Sequence, residues 1–281
     1  ERLRLTRLPG DYPYSRAEAL AMIRAEWPQC TEEQFDTLVD HGRIDWRMVD
    51  GELRCQERFL ESLRIYPKEA PGLIQEPQDH SARDAVLARM EAEGALTARI
   101  TLRATIRSLV PVTRQEVQAW LPIPAACPQQ SRIQILDHTP GGIAAPECAP
   151  QRTMWWRTQG VDTFSVTYRY LIWAQYTDPM TLPLDPVQPT FDLEEQAPHI
   201  VFTPYLRAFA KDICRGCSTP AEKARAIYDY VTGQVDYRYQ PAYLQLDCIA
   251  DQCAKTLRGD CGVFALLFIT LCRISGIPAR W

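Results

Sequence analysis

The stretch LTARITLRATIR sets Leu96, Ala98, Ile100, Leu102, Ala104 and Ile106 in strict alternation with Thr97, Arg99, Thr101, Arg103, Thr105 and Arg107. A period of two held over this length fits a long strand with one apolar and one polar face; a helix would scatter both sets around its circumference. Something must cover the apolar face, so those six residues are expected to point inward together. A slip of one residue would expose the whole set. The same alternation returns in SRIQILDH and TFSVTYRYLIW, separated by turns rich in Pro and Gly. Residues 95–176 are therefore expected to form an antiparallel β-sandwich domain.

Upstream, the pattern is mainly helical. Ser15 with Glu18, and Thr31 with Gln34, have the spacing of two capping boxes, and Gly42 supplies a stop. IDWRMVDGELRC reads as a hairpin turning at Asp50-Gly51, and QERFLESLRIY as a further helix. This order could suggest a winged DNA-binding unit, but Asp45, Asp50, Glu52 and Glu57 interrupt any basic face. Residues 1–75 are read as a helical accessory domain and residues 76–94 as a polar helical connector. Residues 177–200, rich in proline, read as an extended linker. Residues 201–281 form the last domain. In it Thr219 caps a helix with Pro220 in its first turn and Glu222 completing a capping box, and Gly233 is expected to end it.

The net charge of −4 over 281 residues offers no broad attraction for nucleic acid or an anionic membrane. The longest apolar run, from Gly262 to Cys272, is bracketed by Asp260 and Arg273 and is too short to span a bilayer. Ten scattered cysteines fit a reducing compartment better than a disulfide scaffold, which points to a cytoplasmic protein. The N-terminus lacks a starting Met, so secretion stays open. No cofactor is called for. Cys214, Cys217, Cys248 and Cys253 offer a four-thiolate zinc alternative, weakened by the wide second spacing. A redox role for CRGC would need the helix N-terminus, whereas the motif falls at a helix end.

From Gly262 to Ser275 nearly every residue is apolar, so this helix must be buried all round. Gly276 and Pro278 terminate it. Asp260 is placed to cap its start, which leaves Cys261 in the first turn. There the free backbone N–H groups and the positive end of the dipole favour a thiolate and can hold an oxyanion. The carboxylate of Asp260 opposes the first effect, so a basic partner is still required. Residue order alone leaves Cys261 open between a nucleophile and one more buried cysteine.

The run TLRGDCGVFALLFITLCRISGIPAR closely resembles the signature of the transglutaminase-like cysteine-enzyme superfamily, with its Gly-Asp-Cys loop, apolar helix and Gly-Ile-Pro-Ala-Arg close. KARAIYDYVTGQVDYRY is similar to the family's preceding helix, and VQAWLPIP with the alternating strands to the sandwich that precedes the core in many bacterial members. The resemblance is strong over 219–281 and loose back to 95. It implies that Cys261 attacks an amide or peptide carbonyl and forms a thioester. It also implies a histidine that activates the thiol and an Asp or Asn that orients the histidine, both following the cysteine. No histidine follows Cys261 in these 281 residues: His41, His80, His138 and His199 all precede it. The chain is therefore expected to be truncated and inactive by itself, and His199 to be structural. A side-chain oxyanion donor, which the resemblance also implies, is sought among Tyr237, Tyr239 and Gln252.

The expected fold class is α+β: an N-terminal helical unit, an antiparallel β-sandwich, and the helical half of a transglutaminase-like (papain-like) core. The expected function is that of a thiol hydrolase or acyltransferase with a protein or peptide substrate. The competing reading is a non-catalytic module that binds a protein or glycan and keeps a relic core. With part of the last helix uncovered, self-association, another chain or further residues are expected to cover it.

Overall fold

The computed structural model describes residues 1–65, 70–73, 79–113, 115–187 and 189–281. They form an α+β mixture in two compact units, Glu1–Pro77 with Pro179–Trp281, and Gln78–Asp178. The first unit begins with α1 (Arg2–Asp11), β1 (Tyr14–Ser15), α2 (Arg16–Glu26), α3 (Glu32–Asp40), β2 (Trp46–Val49), β3 (Glu52–Cys55) and α4 (Phe59–Ile65). Both capping boxes form. Glu18 accepts from the Ser15 backbone at 2.8 Å, and Gln34 from that of Thr31 at 2.9 Å. Asp50 and Gly51, both at positive φ, turn β2 into β3, as an Asp-Gly hairpin requires. β1 adds to the far side of β3, giving the order β1-β3-β2. Ile23, Phe35, Leu38, Ile44 and Phe59, none more than 1% exposed, centre the core of these elements. Tyr66, the end of the helix expected from QERFLESLRIY, lies outside the described residues.

The second unit opens with α5 (Ser81–Glu93), which buries no residue and ends at Gly94 in the left-handed conformation. The strands follow: β4 (Ala95–Arg107), β5 (Glu116–Pro122), β6 (Gln130–His138), β7 (Ile143–Ala144), β8 (Thr153–Gln159) and β9 (Thr163–Gln175). They make two antiparallel three-stranded sheets, β4-β9-β6 and β5-β8-β7, with Leu121, Met154, Trp156, Phe164 and Val166 packed between them.

The period read from LTARITLRATIR holds. Ala104 pairs with Val166 and Ile106 with Phe164, and direct partners share a face, so the apolar set lies on the core side. The expectation that all six turn fully inward needs correction, because Leu102 and Ile106 are 43% and 44% exposed. β4 is an edge strand of 13 residues, whereas β5 and β8 have 7 each and β7 only 2, so the opposing sheet cannot cover its whole length.

The first unit resumes with α6 (Pro204–Ile213), α7 (Pro220–Gln234), β10 (Asp236–Tyr237), α8 (Ile249–Thr256), β11 (Arg258–Gly259) and α9 (Cys261–Ile274). The capping box at Thr219 and Glu222 forms. Gly233, expected to end this helix, lies inside it instead. α7 runs to Gln234 and stops because Val235 turns extended, feeding β10 into a parallel pair with β11. Leu206, Ile227, Leu267 and Leu271 are fully buried at the centre of this helical core. Arg273 is buried as well. Its Nε donates to the Ala279 carbonyl at 2.7 Å and its Nη1 to that of Glu194 at 2.8 Å, which ties the end of the proline-rich segment to the core.

Candidate functional site

The GDCG segment brings β11 to its end and starts α9. Asp260 is extended (φ −92°, ψ −174°), and its Oδ1 accepts from the Val263 backbone N–H at 3.1 Å, which makes it the N-cap. Cys261 is the first residue of the helix and its side chain is exposed. From Val263 to Arg273 the helix is buried apart from Phe264, Ala265 and Phe268, which are half-buried. With Cys261 they make one stripe at helical spacing, the least covered face of α9.

Two glycines make this corner possible. A Cβ on Gly259 would sit 2.4 Å from Val263 Cγ1, and one on Gly262 would sit 2.0 Å from the Tyr243 hydroxyl. Tyr243, in a short 3-10 turn (Tyr243–Gln245), uses that space to donate its hydroxyl hydrogen to Asp260 Oδ1. The cap carboxylate is thus held from two sides, by a backbone N–H and by a phenol. Burial, then the hydrogen bond and charge of Asp260, push the Tyr243 phenol well above the usual range. Tyr243 was not among the residues expected at the site. The available signal was Gly262 itself, a residue without a side chain in a helix of large apolar ones, which marks a close approach.

The pairing of β10 with β11 decides where the expected tyrosines go. Tyr237 lies opposite Gly259 and packs on Phe264, with ring centroids 6.2 Å apart. Burial pushes its phenol up, with Cys261, Tyr239 and Asp260 adding to the effect and the Cys261 backbone N–H working against it, so Tyr237 lies within reach of the Cys261 backbone. Tyr239 meets Tyr237 edge-on at 5.8 Å, but its other contacts lead away from the thiol. The Arg58 guanidinium stacks 3.3 Å from its ring centroid, and its backbone N–H donates to Ser62 Oγ at 3.1 Å. Gln252 sits on α8, half-buried, and its backbone groups serve the helix. Its side chain makes no hydrogen bond among the described residues. The structure therefore sets Tyr237 beside the start of α9 and Tyr239 behind Tyr237, while Gln252 lies on α8.

Arg4 holds the Asp247 carboxyl below its usual range, with a smaller contribution from His199. The strand pair that leads into the Gly-Asp-Cys-Gly segment is anchored by the N-terminal elements. Arg43 pairs with Asp236 at 2.8 Å, Arg258 donates to the His41 carbonyl at 2.8 Å, and Arg238 donates to the Gly42 carbonyl. Burial, together with the charges of Arg43 and Arg258, lowers the Arg238 guanidinium to about 10.

All ten cysteines are free. Cys253, one member of the zinc alternative, is 1% exposed, and burial pushes its thiol to about 12. Among the described residues no group of three or more His, Cys, Asp or Glu could hold a metal ion. No helix among them is long and apolar enough to cross a membrane.

An exposed thiol at the head of a buried helix is the arrangement in which cysteine enzymes hold a nucleophile. Residues 207–281, just over a quarter of the chain, match the family model of the transglutaminase-like superfamily, so the segment that carries α6 to α9 is of transglutaminase-like type. Two solved structures are similar to this chain at low identity. One, a "putative cysteine protease" from Cytophaga hutchinsonii, is 19% identical over 66% of this chain and 67% of its own, with a TM-score of 0.44. The other, a "putative protease" from Parabacteroides distasonis, is 14% identical, with a TM-score of 0.29, over 64% of this chain and 35% of its own. No curated protein matches the sequence.

Proposed function

We propose that this chain carries the nucleophile of a transglutaminase-like thiol enzyme acting on amide or peptide carbonyls. The observation that carries the reading is the exposed Cys261 at the first position of α9, inside the segment that matches the family. The Cys261 sulfur attacks the carbonyl carbon, and the carbonyl π electrons move to oxygen. The N–H of Val263 is engaged by Asp260 and that of Cys261 faces the Tyr237 hydroxyl, which leaves the N–H of Gly262 to receive the oxyanion, joined by that of Cys261 if it turns from Tyr237 to the substrate. Collapse of the tetrahedral adduct expels the amine, which takes up a proton, and leaves a thioester. Water then gives hydrolysis; a second amine gives transfer.

Tyr237 is the side chain proposed to assist at the thiol, since it lies opposite Gly259, packs on Phe264, and has a phenol that burial keeps protonated. The thiol proton needs a base. The resemblance implies a histidine that follows the cysteine, oriented by an Asp or Asn, and such general-base assistance is worth about 10²–10⁴-fold. The four histidines here all precede Cys261. The 281-residue polypeptide is accordingly proposed to form acyl-enzyme slowly and to turn over little.

The test is acyl-enzyme trapping. The polypeptide is incubated with glutamine-containing peptide amides, and the intact mass is read before and after hydroxylamine. A hydroxylamine-sensitive adduct mapped to Cys261 and absent from Cys261→Ala supports the reading. Amide cleavage that survives Cys261→Ala, or an adduct that maps to another cysteine, would overturn it.

A further inference from the structure

The sheet β4-β9-β6 has two chemically distinct faces. Its inner face enters the sandwich core through Ala104, Phe164, Val166 and Tyr168. Its outer face carries Arg99, Arg103 and Arg107 on β4. Arg169 of β9, opposite Thr101 and Gln134, joins them, and β6 supplies Arg132. Asp137 is the only carboxylate in the three strands.

Arginines elsewhere in the chain are mostly in ion pairs, as Arg16 is with Asp36, Arg43 with Asp236, Arg157 with Glu116 and Arg225 with Asp229. These five are not, among the described residues. Arg103 donates to Ser165 Oγ at 3.3 Å and Arg169 to Thr101 Oγ1 at 3.2 Å, both neutral hydroxyls.

A second observation singles out one end of the face. Arg132 has φ +52° and sits in a β-bulge, where Arg132 and Ile133 together face Tyr170 between the pairs Ser131–Leu171 and Gln134–Arg169. A residue with a side chain seldom adopts that φ, and a bulge re-aims the side chain it carries. Here the guanidinium joins those of Arg99 and Arg169 in lining a cleft of about 240 Å³, with Gln134 adding a neutral donor. Three guanidiniums without a carboxylate match an anion that carries more than one charge. A single carboxylate would neutralise only one of them, whereas the oxygens of a phosphoryl group accept from several planar forks at once. Arg103 and Arg107 continue the row along β4 at intervals of about 13 Å, four residues of strand.

We propose that the outer face of β4-β9-β6 is a phosphoryl-binding surface, with the cleft of Arg99, Arg132 and Arg169 as its primary site and Arg103 and Arg107 engaging further phosphates of a linear chain. It is independent of Cys261 and of the acyl-transfer reading.

Titration calorimetry of the full 281-residue chain near 50 mM salt, with pyrophosphate and a linear inorganic polyphosphate as probes, tests it. Pyrophosphate should bind, and the triple variant R99Q/R132Q/R169Q should weaken it at least roughly tenfold. Polyphosphate should bind more tightly than pyrophosphate, and R103Q/R107Q should remove that advantage. Arg225→Gln, on α7, should leave both unchanged. Arg132→Gly separates binding from folding, because glycine suits the positive φ: the variant should be at least as stable as the parent yet bind pyrophosphate more weakly. Absence of pyrophosphate binding at millimolar concentration, or undiminished binding by the triple variant and by Arg132→Gly, would overturn the proposal. So would tighter binding of polyglutamate or single-stranded DNA than of polyphosphate at equal charge.

Discussion

Arg43 and Asp236, 193 residues apart in sequence, form an ion pair at 2.8 Å that ties the loop after α3 to the strand paired with the one before Cys261. Arg43 is buried while Asp236 is partly exposed, so the pair is worth less than a fully buried one. Arg43→Met should cost about 2 kcal/mol in urea unfolding. Asp236→Asn should cost more, because it removes a carboxylate shared by two buried arginines, Arg43 and Arg238, rather than one side of a single pair. The reverse order would show that Asp236 is not the hub of this cluster.

Gly262→Ala replaces the poorest helix former after proline, a change that would ordinarily favour a helix by about 1 kcal/mol. Here the new methyl meets the Tyr243 hydroxyl and ring, so the variant should instead lose about 1–3 kcal/mol and disturb the cap on Asp260. In a Tyr243→Phe background the loss should be smaller by at least about 0.5 kcal/mol, since the nearest colliding atom is gone. Additive losses in denaturant melts would show that the two residues do not meet.

The thiols should divide by burial under native alkylation. Cys261, Cys127 and Cys148 are exposed and should react with iodoacetamide in the folded protein. Cys55, Cys253 and Cys272 are buried, and burial raises their thiols to about 12, so they should react only after unfolding. Peptide mass mapping reads each site. Protection of Cys261 in the native state would contradict its position at the open end of α9.

The capping carboxylate of α7 should make that helix acid-sensitive. The N–H groups of Thr219 and Ser218 hold the Glu222 carboxyl below its usual range. A carboxyl depressed by folding contributes stability above its unfolded value, about 4.3, and loses it as pH falls through the lower folded value. Glu222→Gln keeps an acceptor at this position but does not titrate. The parent should therefore lose stability relative to Glu222→Gln as pH drops from about 5 to 3, and the two should run parallel above that. Parallel curves throughout would remove Glu222 from the acid response.

What could be read from the sequence was local. Capping boxes at Ser15, Thr31 and Thr219 depend on residues three apart, and all three form as the spacing implies. The Asp50-Gly51 turn and the stop at Gly276 depend on backbone preferences at single positions, and both are found at positive φ. Gly233 shows the limit of that logic. A glycine permits a helix to end but does not compel it, and strand pairing from Asp236 set the boundary instead. Tyr243 escaped notice because its partner Asp260 is 17 residues away across a turn and a helix.

The amino-acid order by itself determined the elements and the polarity of each face. Alternation made β4 a strand with one arginine face, and unbroken apolarity made α9 an interior helix that starts at Cys261, because both follow from the repeat of the backbone. Only the tertiary structure decided which of those faces is covered and what stands beside the thiol. Leu102 and Ile106 are open because the opposing strands are shorter than β4, and Tyr237 packs on Phe264 at the start of α9 because β10 pairs with β11. Coverage and proximity depend on how far a neighbouring element extends and which strand it pairs with, and no periodicity within a single segment encodes either.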